Sequence, residues 1–296
     1  MIEKLVILGL GLIGGSLAAA LRERGLVSRV TAWGRREESL RLGCELGCID
    51  DFSLDLGEAM DGASVAVIAT PTLVAERVLA SLQPWFGGEV ILTDVASVKG
   101  NMLAAARRIG GSEPGNLVLG HPIAGSEASG VAAARADLFV NHRVILTPTE
   151  RTAADAVEQV RQMWAAVGAE VLSMPVDRHD QVLAATSHLP HVLAYTLVDA
   201  LAQQDSTEDI FRFAAGGFRD FTRIASSDPV MWHDISLANR DALLDMIDVF
   251  QAQLTALRGA IACGDSDRIL ERYRNAKAAR DRFAGMLPVR PASAGE

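Results

Sequence analysis

The residues best suited to chemistry are His121-Pro122-Ile123-Ala124-Gly125-Ser126-Glu127. An imidazole with an ordinary pKa near ~6.5 can take a proton at neutral pH. The apolar run Leu117-Val118-Leu119-Gly120 precedes it and reads as a buried strand. His121 is therefore expected just past a strand end, in a turn containing Pro and Gly. Open α/β sheets place their ligands in such turns. On this stretch alone, a histidine that merely caps a turn is an equal alternative.

The elements that would position His121 begin at the amino terminus. Residues 4–8 form a short apolar strand, followed by Gly9-Leu10-Gly11-Leu12-Ile13-Gly14 and an alanine-rich helical stretch over residues 15–24. This is G-x-G-x-x-G between a strand and a helix, which predicts a dinucleotide-binding turn. Gly9 would permit the tight turn, Gly11 the approach of a pyrophosphate, and Gly14 close helix–strand packing. The helix amino end, at Leu12 and Ile13, would offer N–H donors and a positive dipole end to the phosphates.

The second strand, residues 29–33, runs into Gly34-Arg35-Arg36. An NAD-binding turn carries a carboxylate here for the ribose 2′-hydroxyl, whereas guanidiniums suit a 2′-phosphate. The expected cofactor is NADP, with NAD possible; the alternative is that Arg35 and Arg36 form a solvated turn. Trp33 reads either as a stack near adenine or as a buried strand-end aromatic. Further apolar strands end in Thr70-Pro71 and in Asp94-Val95-Ala96-Ser97-Val98-Lys99. Thr70, Pro71 and Ser97 join the expected cofactor contacts, Ser97 on the nicotinamide side. As an alternative, Ser97 is a helix N-cap.

The recurring strand–loop–helix pattern predicts a doubly wound parallel sheet, a Rossmann fold. Strands at residues 143–147 and 170–174, flanking a helix over about 153–167, are expected to extend it. Pro175 marks a boundary, and from Asp177 the chain reads as helices only. Ile247, Phe250, Leu254, Leu257 and Ile261 form an amphipathic stripe on one helix expected to run from N-cap Asp228, with Pro229 in its first turn, to about Gly264. Asp265-Ser266 opens a last helix to about Ala284. The expected domains are residues 1–175 for the dinucleotide, 176–287 as an all-α substrate and dimerisation domain, and 288–296 as a flexible tail.

Composition narrows the functional classes. The 296 residues are 49% hydrophobic and 22% charged, with a net charge of −9. That balance fits a globular protein with a large core and argues against a nucleic-acid partner. Any anion site must then be built by local arginines. Lysine occurs only as Lys4, Lys99 and Lys277, and cysteine only as Cys44, Cys48 and Cys263. The cysteines form neither a disulfide framework nor a zinc set, which points to a reducing, cytoplasmic setting. A strand at the amino terminus leaves no signal peptide, and no apolar run reaches membrane-spanning length.

Two downstream motifs complete the set: His188-Leu189-Pro190-His191 and Gly216-Gly217-Phe218-Arg219-Asp220-Phe221-Thr222-Arg223-Ile224-Ala225, the latter followed by Asp228-Pro229-Val230-Met231-Trp232. With the glycine turn, D-x-x-S-V-K and H-P-x-A-G-S-E, they resemble in order the prephenate/arogenate dehydrogenase family of tyrosine biosynthesis. The resemblance spans about residues 1–287. It implies a Rossmann domain, a helical domain that makes a homodimer, and oxidative decarboxylation of a cyclohexadienyl substrate with hydride passing to NAD(P). It further implies that His121 takes the proton of the ring hydroxyl and that Ser97 orients His121. Arg223 would bind a substrate carboxylate, and His191 would lie by the substrate, with His179 a weaker candidate. Glu127, Arg219, Asp220 and Trp232 would shape the entrance, partly from a second protomer.

A ring carbinol that loses hydride needs its hydroxyl proton removed, and a positioned base supplies about 10²–10⁴-fold. Loss of CO₂ and aromatisation supply the driving force, so no metal is expected. His188 and His191 lack a carboxylate or cysteine cluster, and His188 reads as a helix-packing residue. The sequence departs from the commoner family pattern at Gly34, where many members carry Asp. Too few residues follow Leu287 for a regulatory domain, so any feedback by tyrosine is expected at or near the active site. Two rivals are a β-hydroxyacid dehydrogenase of similar build and a non-catalytic NADP-binding sensor. The first resembles this chain in layout but would need a lysine early in the helical domain, and none occurs between Lys99 and Lys277. The second gives no reason for His121, Ser97 and Arg223 to occur together.

Overall fold

A computed structural model describes residues 1–125, 128–205 and 207–286. The strands are β1 (Ile2–Leu8), β2 (Val27–Trp33), β3 (Asp51–Ser53), β4 (Val65–Ile68), β5 (Ile91–Asp94), β6 (Leu117–Val118), β7 (Gly120–Ile123), β8 (Arg143–Leu146) and β9 (Glu170–Ser173). The first six form a parallel sheet in the order β3-β2-β1-β4-β5-β6. The crossover helices are α1 (Leu12–Glu23), α2 (Glu37–Glu45), α3 (Leu56–Met60), α4 (Thr72–Ser81) and α5 (Gly100–Gly110).

Strands buried on both faces read as continuous apolar runs because each residue meets a core. Leu5 and Ile7 of β1, with Val65 and Val67 of β4, enter one core; Val6, Leu8, Ala66 and Ile68 enter the other. The period of two thus divides a single apolar run between two layers. The strand order reverses between β1 and β4, and the carboxyl ends of these strands carry the glycine turn and Thr70.

Two expectations fail near His121. The strands at 143–146 and 170–173 do not extend the parallel sheet. They pair with β7 in a second sheet, β7-β8-β9, with β7 antiparallel to β8. His121 is accordingly a strand residue, opposite Ile145, rather than a turn residue past a strand end. Leu119 marks the switch between sheets, and its carbonyl accepts from Thr147 N at 2.9 Å. Strand periodicity reports burial and leaves open which sheet a strand joins.

Helix α6 (Ala154–Ala166) separates β8 from β9. From Pro175 on come α7 (Val176–Leu183), a π-helical turn (Ala184–His188), α8 (Leu189–Ala202), α9 (Thr207–Arg212), α10 (Gly216–Thr222), a turn (Arg223–Ser226), α11 (Pro229–Ala238), α12 (Arg240–Cys263) and α13 (Ser266–Phe283). The long helix expected from Asp228 to Gly264 is broken at Asn239 into α11 and α12. Asp228 does cap α11 through Val230 N, and Asp265 caps α13 through Arg268 N.

The chain divides into two compact units, Met1–Leu243 and Leu244–Glu296. This division falls later than the boundary expected at Pro175, where the strands end. Within the second unit, the Arg272 guanidinium donates to Gln253 O at 2.8 Å, joining α13 to α12. Leu244, Val249, Phe250, Leu254, Ile261, Leu270 and Tyr273 are all exposed there. Among the described residues, no helix is long and apolar enough to cross a membrane. The tail expected over 288–296 lies outside the described residues.

Candidate active site

Each glycine of the first turn has its own geometric reason. Gly9 has φ +101°, and a Cβ there would come within 2.6 Å of Thr70 Cγ2 and 2.9 Å of Ala69 O. Gly14 lies so close to β1 that a Cβ would meet Ile7 Cγ2 at 2.7 Å. Gly11 differs from both: its Cβ would meet nothing within 4 Å. It stands at the amino end of α1, which no side chain caps. A helix end with uncapped N–H groups facing open space suits a pyrophosphate. Beside Gly9, the Thr70 hydroxyl is buried without a hydrogen-bond partner. Gly9, Gly11, Leu12, Ile13, Gly14 and Thr70, with Pro71 opening α4, fit a dinucleotide.

A buried ion pair fixes the approach to His121. Asp94, at the end of β5, and Lys99 are both fully buried, and the Lys99 ammonium donates to Asp94 Oδ2. The same ammonium donates to Gly120 O at 2.7 Å, while Gly120 N donates to Asp94 Oδ1 at 3.2 Å. Ala96 N adds a bond to Asp94 Oδ2 at 3.0 Å. The residue immediately before His121 is thus tied at both backbone groups to one buried pair. Burial pulls the Lys99 ammonium below its usual range, and Asp94 opposes that shift.

Behind His121 lies a chain of hydrogen bonds. His121 Nδ1 and His179 Nε2 are 2.9 Å apart, and His179 Nδ1 is 2.8 Å from Asp180 Oδ1. Asp180 also accepts from Lys99 N at 2.9 Å and Gly100 N at 2.7 Å, capping α5 from 80 residues away. Burial alone would raise its carboxyl pKa, but the bonds from His179, Lys99 and Gly100 outweigh burial and bring it below the usual carboxylate range. Burial, then the charges of His179, Lys99 and His188, holds His121 well below the usual imidazole range. Burial likewise lowers His179.

The third group surrounds Trp232. Its indole stacks on His191, with ring centroids 3.5 Å apart and planes 18° from parallel. His191 Nδ1 donates to Ser187 O at 2.9 Å. Burial lowers the His191 pKa, the Ser187 bond opposes this, and the Arg223 charge adds to it. Arg223 is exposed at the start of the turn after α10, and Arg219 and Asp220 are exposed on α10 itself. His188 is buried, its Nδ1 taking a bond from Asn239 Nδ2 at 2.9 Å, and burial pushes its pKa down to about 4. Asn239 also donates to Asp180 O at 2.9 Å. The break between α11 and α12 thus places Asn239 where it joins His188 to the Asp180 backbone.

Several expected positions change. His179 is fully buried with both ring nitrogens engaged, so it backs His121 instead of lining the substrate space. Ser97 makes no hydrogen bond to His121, whose Nδ1 is taken by His179, and the N-cap of α5 is Lys99. Glu127 lies outside the described residues. Sequence reading missed Asp180 and Asn239; the adjacency of a carboxylate to His179 was the available signal for the first. Among the described residues, no three His, Cys, Asp or Glu are grouped to hold a metal ion.

Comparison with known proteins gives the family. Residues 17–174 match the family model described as the nucleotide-binding domain of prephenate dehydrogenase, and residues 175–275 match its dimerization domain. The chain is 36% identical to a cyclohexadienyl dehydrogenase of Zymomonas mobilis over 98% of its own length and 99% of the relative's. It is 37% identical to a prephenate dehydrogenase of Bacillus subtilis, covering 98% of this chain and 79% of that one. Among solved structures, a prephenate dehydrogenase of Aquifex aeolicus in complex with hydroxyphenyl propionate and NAD+ superposes with a TM-score of 0.89. That match has 33% identity and covers 96% of this chain and 99% of that one. The chain belongs to the prephenate dehydrogenase family.

Proposed function

We infer that the chain catalyses the NAD(P)-dependent oxidative decarboxylation of prephenate, arogenate or both, a step of tyrosine biosynthesis. The observation that carries this reading is His121, held by a buried hydrogen-bond network in a chain that also carries the glycine cradle. The names of the relatives support the substrate class. They include a cyclohexadienyl dehydrogenase and an arogenate dehydrogenase of Synechocystis, the latter with a TM-score of 0.80 and 29% identity.

In this mechanism His121 accepts the ring hydroxyl proton as the carbinol carbon becomes a carbonyl. A dinucleotide with its pyrophosphate at the glycine cradle would supply, in its nicotinamide, the acceptor for the hydride leaving that carbon. The ring carboxylate then departs as CO₂, and its bonding electrons complete the aromatic ring. The proton on His121 returns to the oxygen as the ring becomes a phenol. Ser97 is assigned to the nicotinamide side. Arg223 is assigned to a substrate carboxylate, with His191 beside the substrate and Arg219, Asp220, Glu127 and Trp232 at the entrance. Residues 1–175 hold the cofactor, and residues 176–287 hold substrate and form the homodimer. The exposed apolar residues of α12 and α13 suit that second role.

NADP is the preferred cofactor in this reading. A Cβ at Gly34 would meet Leu40 Cδ2 at 3.6 Å, an ordinary contact, so packing does not exclude a carboxylate there. Arg35 and Arg36 are exposed beside it. Trp33 Nε1 donates to Leu54 O at 3.1 Å, which favours its structural role. An arginine–phosphate contact worth ~1–3 kcal/mol gives a preference of about ten- to a hundredfold. Initial rates with prephenate and with arogenate, each with NAD and NADP, test the whole reading. Cofactor reduction with either substrate is expected, with the higher kcat/KM for NADP. No reduction with either substrate refutes the function; a higher kcat/KM for NAD refutes only the cofactor preference.

Arg223→Ala is expected to raise the substrate KM by at least ~30-fold, equivalent to ~2 kcal/mol, and to leave the cofactor KM within about twofold. That is the low end of the ~2–5 kcal/mol typical of removing a charged hydrogen-bond partner, because Arg223 is exposed. An unchanged substrate KM would remove Arg223 from the binding site.

A further inference from the structure

The hydrogen-bond chain behind His121 has a direction. Asp180 is approached by three donors: Lys99 N, Gly100 N and the His179 ring. A carboxylate that accepts all three leaves His179 to donate from Nδ1. His179 Nε2 then carries a lone pair, and the bond at 2.9 Å requires His121 to donate from its own Nδ1. Only Nε2 of His121 remains as a proton acceptor. Asn239 holds the Asp180 carbonyl, and α5 holds its carboxylate, so the origin of the chain is fixed by the fold at two points.

We propose that His179 and Asp180 are positioning residues that hold His121 as the Nδ1–H tautomer, with Nε2 as the only atom able to take the substrate proton. The proposal rests on the reading of His121 as the base. Without the chain, imidazole exchanges freely between its tautomers, and the Nε2–H form cannot accept a proton at the reacting position. In the chain, the positive charge that His121 acquires on accepting the proton faces His179 and, beyond it, the Asp180 carboxylate. A carboxylate that orients a catalytic imidazole through Nδ1–H and stabilises its charged form is an arrangement known to matter by orders of magnitude. Here a second imidazole lies between them.

The test begins on the unaltered protein. With the full chain labelled with 15N-histidine, the His121 signals are identified by their loss in His121→Asn. The expected pattern is a protonated Nδ1 and an unprotonated Nε2 at pH 7.5. An Nε2–H pattern overturns the proposal with no variant needed. His179→Leu cannot accept from His121 Nδ1; it is expected to lower kcat by on the order of 10²-fold and to shift His121 toward Nε2–H. Cofactor affinity, read by fluorescence, should stay within about twofold. His179→Gln presents a carbonyl oxygen in place of the ring nitrogen, and kcat is expected within about tenfold of wild type. A normal kcat in His179→Leu, or equal damage in both variants with the His121 tautomer unchanged, overturns the proposal. If His121→Asn itself keeps wild-type kcat, the base assignment fails, and the tautomer result still stands or falls alone.

Discussion

Replacing His121 with Asn is expected to lower kcat by at least ~10²-fold while leaving cofactor affinity unchanged. A carboxamide can hydrogen-bond the ring hydroxyl but cannot take its proton. Because the side chain sits on β7, paired with β8, and the glycine cradle follows β1, the substitution leaves the cofactor site intact. The kinetic signature is therefore a loss in kcat with cofactor binding preserved, and a variant with near wild-type kcat would dismiss His121 as base. The same environment sets the pH response. Burial, with the charges of His179, Lys99 and His188, holds the His121 pKa well below its usual range. On the side of His179 the nearest opposite charges are Asp180 and Asp94. The base is neutral down through pH 6.5, so the acid limb of kcat/KM should fall below that value and not at it. Stability follows the same sign. Four histidines, His121, His179, His188 and His191, have folded pKa values below ~6.5 and take up more protons when unfolded, so stability is lost as pH falls from ~6.5, for His188 toward about 4.

The geometry of the glycine turn was legible because its determinants are local. The three glycines lie within six residues, and each role follows from the strand before and the helix after. The determinants of the His121 half are distant in sequence. His121 and His179 are separated by 58 positions, and Lys99 and Asp180 by 81. No periodicity records that two such residues will meet. The break at Asn239 was hidden for a related reason. Apolar spacing continues from α11 into α12, and asparagine does not forbid a helix. The interruption is fixed by what the Asn239 amide reaches, Asp180 O and His188 Nδ1, contacts that exist only in the folded chain. The second sheet was misread because burial alone does not tell a parallel neighbour from an antiparallel one.

Lys99→Met should destabilise the protein by ~3–5 kcal/mol, the usual consequence of removing one member of a buried ion pair. Methionine fits the volume of the lysine stem, so the loss is electrostatic and not a cavity. What remains is an Asp94 carboxylate with no exposure, supported among the described residues by Ala96 N and Gly120 N. The Gly120 carbonyl loses its donor as well. For a chain of this size the expected fall in Tm is about 10 °C. Lys99→Met combined with Asp94→Asn removes the stranded charge and should recover much of that stability, because a neutral amide can still accept from one backbone N–H. It should not recover activity. Both ties from the pair to Gly120 are altered in the double variant, and Gly120 directly precedes His121. A difference between restored Tm and unrestored kcat would therefore separate the pair's contribution to stability from its contribution to placing the base. A single variant that melts within about 2 °C of wild type would show that the pair contributes little to stability.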